Sequence, residues 1–187
     1  MQTVEFFRNG KIVKGLAVTS DDLNFIREKY PFVSISQADL NNINNLITKG
    51  TVGVIMGDIE AIIDDNTKIE NPDCWFVYEP EKHGYKSLVH SRFTFGEALE
   101  LLKLGYKVAR QGWNGKGIWV VHVPGNIVEI REGTPYWNAG LRGKIQIDGH
   151  IDMYTAQGTM QPEWLASQAD MQADDWVVVN LFKQKES

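Results

Sequence analysis

The hydrophobic and polar positions of the chain open on a plain alternation. Val4-Glu-Phe-Phe7 and residues 11–18 predict two strands joined by Asn9-Gly10, a dipeptide that tolerates positive φ at both positions and so closes tight hairpins. The period then changes. Thr19-Ser20-Asp-Asp22 predicts a helix N-cap ahead of Leu23, Phe25 and Ile26, with a stop at Tyr30-Pro31. A second helix is predicted from Ser36, with Asp39 three residues on, Leu40, Ile43, Leu46 and Ile47 on one face, and an end at Gly50. Residues 52–63 and 74–78 are β-rich, separated by the polar stretch 64–73. Residues 1–88 therefore predict one α+β module. Residues 79–92, polar with one Pro, one Gly and two His, read as a linker.

The pattern starts afresh at Thr94-x-x-Glu97, a capping box in which hydroxyl and carboxylate each satisfy an orphan helix N–H. Phe95, Ala98, Leu99 and Leu102 share the next helical face, and Gly105 is placed to end it. A short strand over 106–110, a turn over 112–117 and a strand over 117–123 come next, the last ended by Pro124-Gly125. Another strand is predicted over 144–154, and Gly158 opens a turn. Ser167-x-x-Asp170 repeats the capping pattern and predicts a single helical turn over 167–171. A strand over 175–181 closes the chain. The fold class is thus α+β in two small modules, the second (93–181) a short helix packed on an antiparallel sheet.

Trp176, followed by three valines, and Trp119, alternating with Val121 and Val123, are expected in the core. Trp113 differs, because it sits in a Gly-flanked turn after a polar pair. Trp164 lies between Pro162 and the Ser167 cap. For both, ligand stacking and an interface contact stay open.

At 187 residues the chain suffices for one medium domain or two small ones. A net charge of −5 excludes a global basic field for a nucleic-acid polymer, although a local cluster still holds a small anion. Cys74 is the single cysteine, so an internal disulfide and a multi-cysteine zinc site are both excluded, and a buried packing role is expected. Met1-Gln-Thr-Val-Glu lacks the basic-then-apolar pattern of a signal peptide. No run of about 18 apolar residues exists. The expectation is a soluble, intracellular protein with no membrane partner.

Glycine precedes lysine in both 112–117 and 140–144, yet neither has phosphate-loop spacing, and no Ser or Thr follows Lys116. Lys116 is then either a simple counter-charge or a solvated turn residue. Asp148-Gly-His150-Ile-Asp152 puts three potential metal ligands on one strand face, but two-residue spacing rarely converges three ligands without a second segment. No metal is expected. His83, His90 and His122 have no nucleophile motif beside them. Asp174 and Asp175 point to opposite faces of a strand and do not make an acid–base pair.

Four runs now stand in order: Phe93-Thr-Phe-Gly-Glu-Ala-Leu99; Leu102-x-x-Gly105-x-x-Val108-Ala-Arg110-x-Gly-Trp-Asn-Gly-Lys116; Trp164-x-x-Ser-Gln-x-Asp170; and Ala173-x-Asp-Trp176. Their order and spacing resemble the second Thoeris anti-defence (Tad) family of phages, over about residues 93–181. The resemblance implies a protein acting in the cytoplasm of the infected bacterial host that sequesters an immune signal without degrading it. The implied ligand is glycocyclic ADP-ribose, made by TIR-domain enzymes of the Thoeris system. Some members also look able to hold cyclic dinucleotides of the cGAS-like (CBASS) type. Homotetramers with pockets between subunits are implied, and no cofactor.

The residues that would line such a pocket are Phe95, Arg110, Trp113, Asn114, Trp164, Ser167 and Asp170. Trp113 and Phe95 suit the base, Arg110 the pyrophosphate and Asn114 polar edges. Ser167 and Asp170 suit either ribose hydroxyls or a turn cap. Without the resemblance, the same residues leave open an enzyme that hydrolyses such a messenger, and a protein-interaction module.

Overall fold

The computed structural model describes residues 1–44, 51–64, 69–113, 115 and 117–179. The chain divides into two compact units, Met1–Ser91 and Arg92–Ser187. Both mix helices with antiparallel sheet, so the α+β class holds.

In the first unit β1 (Gln2–Arg8) and β2 (Lys11–Thr19) form the expected hairpin, with Asn9 and Gly10 at φ 50 and 74. Helix α1 (Ser20–Lys29) starts at the Thr19–Asp22 capping box and buries Leu23 and Ile26. The strand β3 (Val33–Ser34) and helix α2 (Gln37–Asn44) come after it. Ser36 caps α2, exchanging hydrogen bonds with Asp39. The predicted continuation through Leu46, Ile47 and Gly50 lies outside the described residues. Then come β4 (Thr51–Gly57), α3 (Glu60–Ile63), β5 (Cys74–Tyr78), a 3-10 turn (Pro80–His83) and β6 (Lys86–Ser87). The sheet order is β3-β5-β4-β2-β1-β6, antiparallel except for β3 with β5. On one face Leu16, Val18, Ile55, Cys74 and Phe76 pack with α1 residues Leu23 and Ile26, and Phe6, Val54, Met56, Val77 and Tyr85 form a second cluster.

Two expectations for this unit fail. The β run predicted over 52–63 stops at Gly57, whose φ is +98 and where a Cβ would collide with the Asp73 carbonyl. Asp58 then accepts the Asp73 N–H at 3.0 Å, and Glu60–Ile63 becomes a helical turn. Residues 79–92 are also no free linker. Tyr85 and Leu88 are buried, β6 pairs with β1, and Arg8 Nη1 donates to the Tyr85 hydroxyl at 2.6 Å. A polar composition hides two apolar anchors.

The second unit begins with α4 (Phe95–Lys103), started by the Thr94–Glu97 capping box and burying Ala98, Leu101 and Leu102. After it run β7 (Val108–Arg110), β8 (Trp119–Val123), β9 (Asn126–Glu129), α5 (Pro135–Asn138), β10 (Lys144–Ile147), β11 (His150–Tyr154), β12 (Met160–Gln161), α6 (Gln168–Met171) and β13 (Trp176–Val178). Positions 180 and 181 of the last predicted strand lie outside the described residues. Five strands form an antiparallel sheet in the order β12-β11-β8-β7-β13, with β9 and β10 as a separate ribbon. Helix α4 lies against β7, β8 and β13.

The single strand expected over 144–154 is two strands. Pro124-Gly125 faces Asp148-Gly149 across the hairpin, and a Cβ on Gly125 would sit 2.9 Å from the Ile147 carbonyl. The double break lets the β9–β10 ribbon leave the sheet. Trp119 is likewise not a core residue. Val120 is the fully buried member of β8, and Trp119 faces the other way, stacked on Tyr154 with centroids 5.0 Å apart. Trp176 is core, 1% exposed.

Candidate functional site

The site is built where the β7–β13 edge meets α6. Phe93 and Trp176 exchange backbone hydrogen bonds, and Trp176 pairs with Arg110 across β13 and β7. This register brings the turn after β7, which carries Trp113, beside Asp175. The turn is tied down by its own backbone: Gly112 N–H donates to Asp175 Oδ2 at 2.7 Å and Gln111 N–H to the Asp175 carbonyl at 3.1 Å. Trp164 is fixed from the opposite side, its backbone N–H donating to the Ile151 carbonyl at 2.7 Å.

Four aromatic rings meet there. Trp113 lies edge-on to Trp176 (5.4 Å, 77°) and to Trp164 (5.9 Å, 73°), and Trp164 is edge-on to Trp176 (6.2 Å, 71°). Phe95 reaches the cluster through Trp176 at 5.6 Å. Such edge-to-face geometry aligns ring quadrupoles favourably. Phe95, Trp113 and Trp164 remain half-buried around the buried Trp176, so each keeps part of its surface in solvent.

The polar half is a network around one guanidinium. Arg110 Nε donates to Asp175 Oδ1 at 2.8 Å, and Nη1 donates to Asp170 Oδ1 at 3.0 Å and to the Ala169 carbonyl at 3.2 Å. Asp170 Oδ1 also accepts the Trp113 indole N–H at 3.0 Å. Its Oδ2 accepts the Ser167 N–H at 3.0 Å and the Ser167 hydroxyl at 2.7 Å, which closes the capping box that starts α6. Asp170 is 7% exposed. Burial pushes its carboxyl up, but the hydrogen bonds from Ser167, Trp113 and Arg110 outweigh this and bring it down to about 2. Asp175 is lowered chiefly by its Arg110 hydrogen bond, against burial. The guanidinium is pushed up in turn by Asp175 and Asp170.

The structure thus brings together Arg110, Trp113, Trp164, Ser167 and Asp170, with Phe95 joined through Trp176. Asn114 and Lys116 lie outside the described residues. Ser167 and Asp170 form the turn cap, one of the two roles open to them. All four lone-pair directions of Asp170 carry donors, so it has no free acceptor for a ribose hydroxyl. Arg110 keeps the two N–H groups of Nη2, which no described residue engages.

Two members of the network carry the family pattern in Ala173-x-Asp-Trp176 but are not among the residues expected to line the pocket. Asp175 reads by itself as half of a pair without acid–base geometry, and Trp176 as core. The signal for Asp175 is its place one residue before a buried Trp on an edge strand, within side-chain reach of the neighbouring strand.

The family model of the Thoeris anti-defense 2-like domain matches residues 93–179, which contain every one of these residues. A protein of Bacillus phage SP01 with the name Thoeris anti-defense 2 is 34% identical over 93 residues, covering 48% of this chain and 98% of that relative. The chain belongs to the Thoeris anti-defence 2-like family. The family match begins two residues after the first compact unit ends, so the aromatic cluster and its arginine brace belong wholly to the anti-defence unit. Among the described residues no group of three or more His, Cys, Asp or Glu is placed to hold a metal ion. No described helix is long and apolar enough to cross a membrane.

Proposed function

We propose that the anti-defence unit holds a cyclic nucleotide immune messenger, glycocyclic ADP-ribose before cyclic dinucleotides, and sequesters it intact in the cytoplasm of the infected host. The observation that carries this reading is the half-exposed Phe95–Trp113–Trp164 rim around buried Trp176, beside an arginine whose two Nη2 N–H groups no described residue engages. Flat faces next to a fixed guanidinium suit an adenine ring and a pyrophosphate. Arg110 with two carboxylates leaves a net negative cluster, so directed hydrogen bonds from Nη2, not bulk charge, are its means of meeting phosphate.

The same network argues for holding over cutting. Asp170 and Asp175 are locked as anions, far from the near-neutral pKa that a general acid or base requires. A sponge needs complementarity to the ground state alone. Pockets shared between subunits of a homotetramer belong to this reading.

The test is direct. The full chain is incubated with the messenger, separated from free ligand, heated, and the released small molecule analysed. Intact messenger recovered only after denaturation is expected. A converted product would make the protein an enzyme, and ligand that never leaves the free fraction would leave an interaction module.

A further inference from the structure

The first unit lies outside the family match and has a depression of its own, so a site there is argued without recourse to messenger binding by the anti-defence unit. A cavity of about 540 Å³ opens at one end of its sheet, within the size range of small-molecule sites. Its floor is set by the strand register. Leu16 and Val18 point into the α1 side of the sheet, so Ala17 points to the other. Ala17 pairs with Gln2 on one side and Val54 on the other. A methyl group between two larger neighbours leaves a hollow, closed below by Val4 and Phe6.

The walls are polar. Ser87, on β6, is 9% exposed and lines the cavity, yet its hydroxyl has no hydrogen bond to any described residue. The hydroxyl is not sealed off, so it is open to a ligand that enters the cavity. Glu79 and Glu81 stand at the rim. Glu79 adopts a left-handed backbone, φ 46, a strained choice for a residue with a Cβ. Lys82 binds Glu79 at 2.7 Å, whereas Glu81 has no ion pair with a described residue. Among the described residues no Lys or Arg lines the cavity.

We propose that this cavity is a binding site for a small organic amine with an apolar body. The body fills the hollow over Ala17, and the ammonium meets the Ser87 hydroxyl and the Glu81 carboxylate. This chemistry is opposite in sign to a phosphorylated nucleotide.

The test titrates the full-length protein with phenethylamine, phenylacetate and 2-phenylethanol, followed by amide NMR shifts. Saturable binding of phenethylamine with a Kd of about 1 mM or tighter is expected, with shifts at Ala17, Glu81 and Ser87. Phenylacetate is expected to bind about tenfold more weakly or not at all, because like charges repel at the rim. Glu81→Gln, an exposed change that leaves the core untouched, should weaken the amine about threefold or more. Ala17→Leu should abolish binding by filling the hollow, and Ser87→Ala should weaken it. The proposal is overturned by equal affinity for amine and carboxylate, by shifts confined to other residues, by indifference to both Glu81→Gln and Ala17→Leu, or by no saturable binding at all.

Discussion

The indole N–H of Trp113 donates to Asp170 Oδ1 at 3.0 Å, the same oxygen that takes the Arg110 Nη1 hydrogen bond. One carboxylate oxygen therefore sets both the ring and the cation of the candidate pocket. Rotating either away leaves a nearly buried anion short of a donor.

Trp113→Ala should abolish messenger retention while the unit stays folded, at a cost of about 2–3 kcal/mol for the lost half-buried ring. Trp113→Phe keeps an aromatic face and loses the N–H, so it should cost about 1 kcal/mol and retain part of the binding. Denaturant unfolding and the retention assay, run side by side, check this. Wild-type retention by Trp113→Ala would sink the site assignment.

Arg110 braces two carboxylates in a fork that lysine does not reproduce. Arg110→Lys should destabilise by about 2 kcal/mol, and Arg110→Met by more, because Asp170 is left charged and unpaired. Combining Arg110→Met with Asp170→Asn should cost less than the sum of the two. Additive losses in that cycle would show that the pair is not coupled.

The acid limb of stability depends on Asp170. Its folded pKa, about 2, lies below the ordinary value of 3.8. The stabilisation is present in full above about pH 4 and is lost as pH falls through about 2, a change of about 2 kcal/mol. Asp175 is shifted the same way and adds to the loss. Urea unfolding at stepped pH should show this fall in the wild type, and Asp170→Asn should flatten it. A variant with the same pH slope as the wild type would contradict the cause.

Cys74 is fully buried in β5, and burial, followed by the nearby Asp58 charge, pushes its thiol up to about 11. The thiolate is the reactive form. Native protein should leave a thiol-specific disulfide reagent unconsumed at neutral pH, and denaturant should release one equivalent. Rapid reaction in the native state would mean that β5 opens.

Much of the site is legible in the sequence because its signals are local. Thr94-x-x-Glu97 and Ser167-x-x-Asp170 each describe bonds between a residue and its own near neighbours, and both capping boxes form. Asn9-Gly10 is equally local, since its two positive φ values define the turn by themselves. Where the outcome rests on a distant partner, the local pattern misleads. The strand expected through residue 63 is cut short by the Asp73 carbonyl closing on Gly57, and 79–92 is captured by β1.

The chain by itself determined the α+β class, the starts of α1, α2, α4 and α6, the turn that carries Trp113 and the family to which residues 93–179 belong. Those depend on hydrogen bonds and dihedral preferences within a few residues, or on motif order. The tertiary structure alone decided that Asp175 joins Arg110 from 65 residues away, that Trp176 backs the pocket rings, and that Val120 rather than Trp119 is buried. Strand alternation is blind to which face the helix covers, and side-chain charges choose partners only after the strands have paired. Arg110 thus became a brace between two carboxylates, with an Nη2 that no described residue engages.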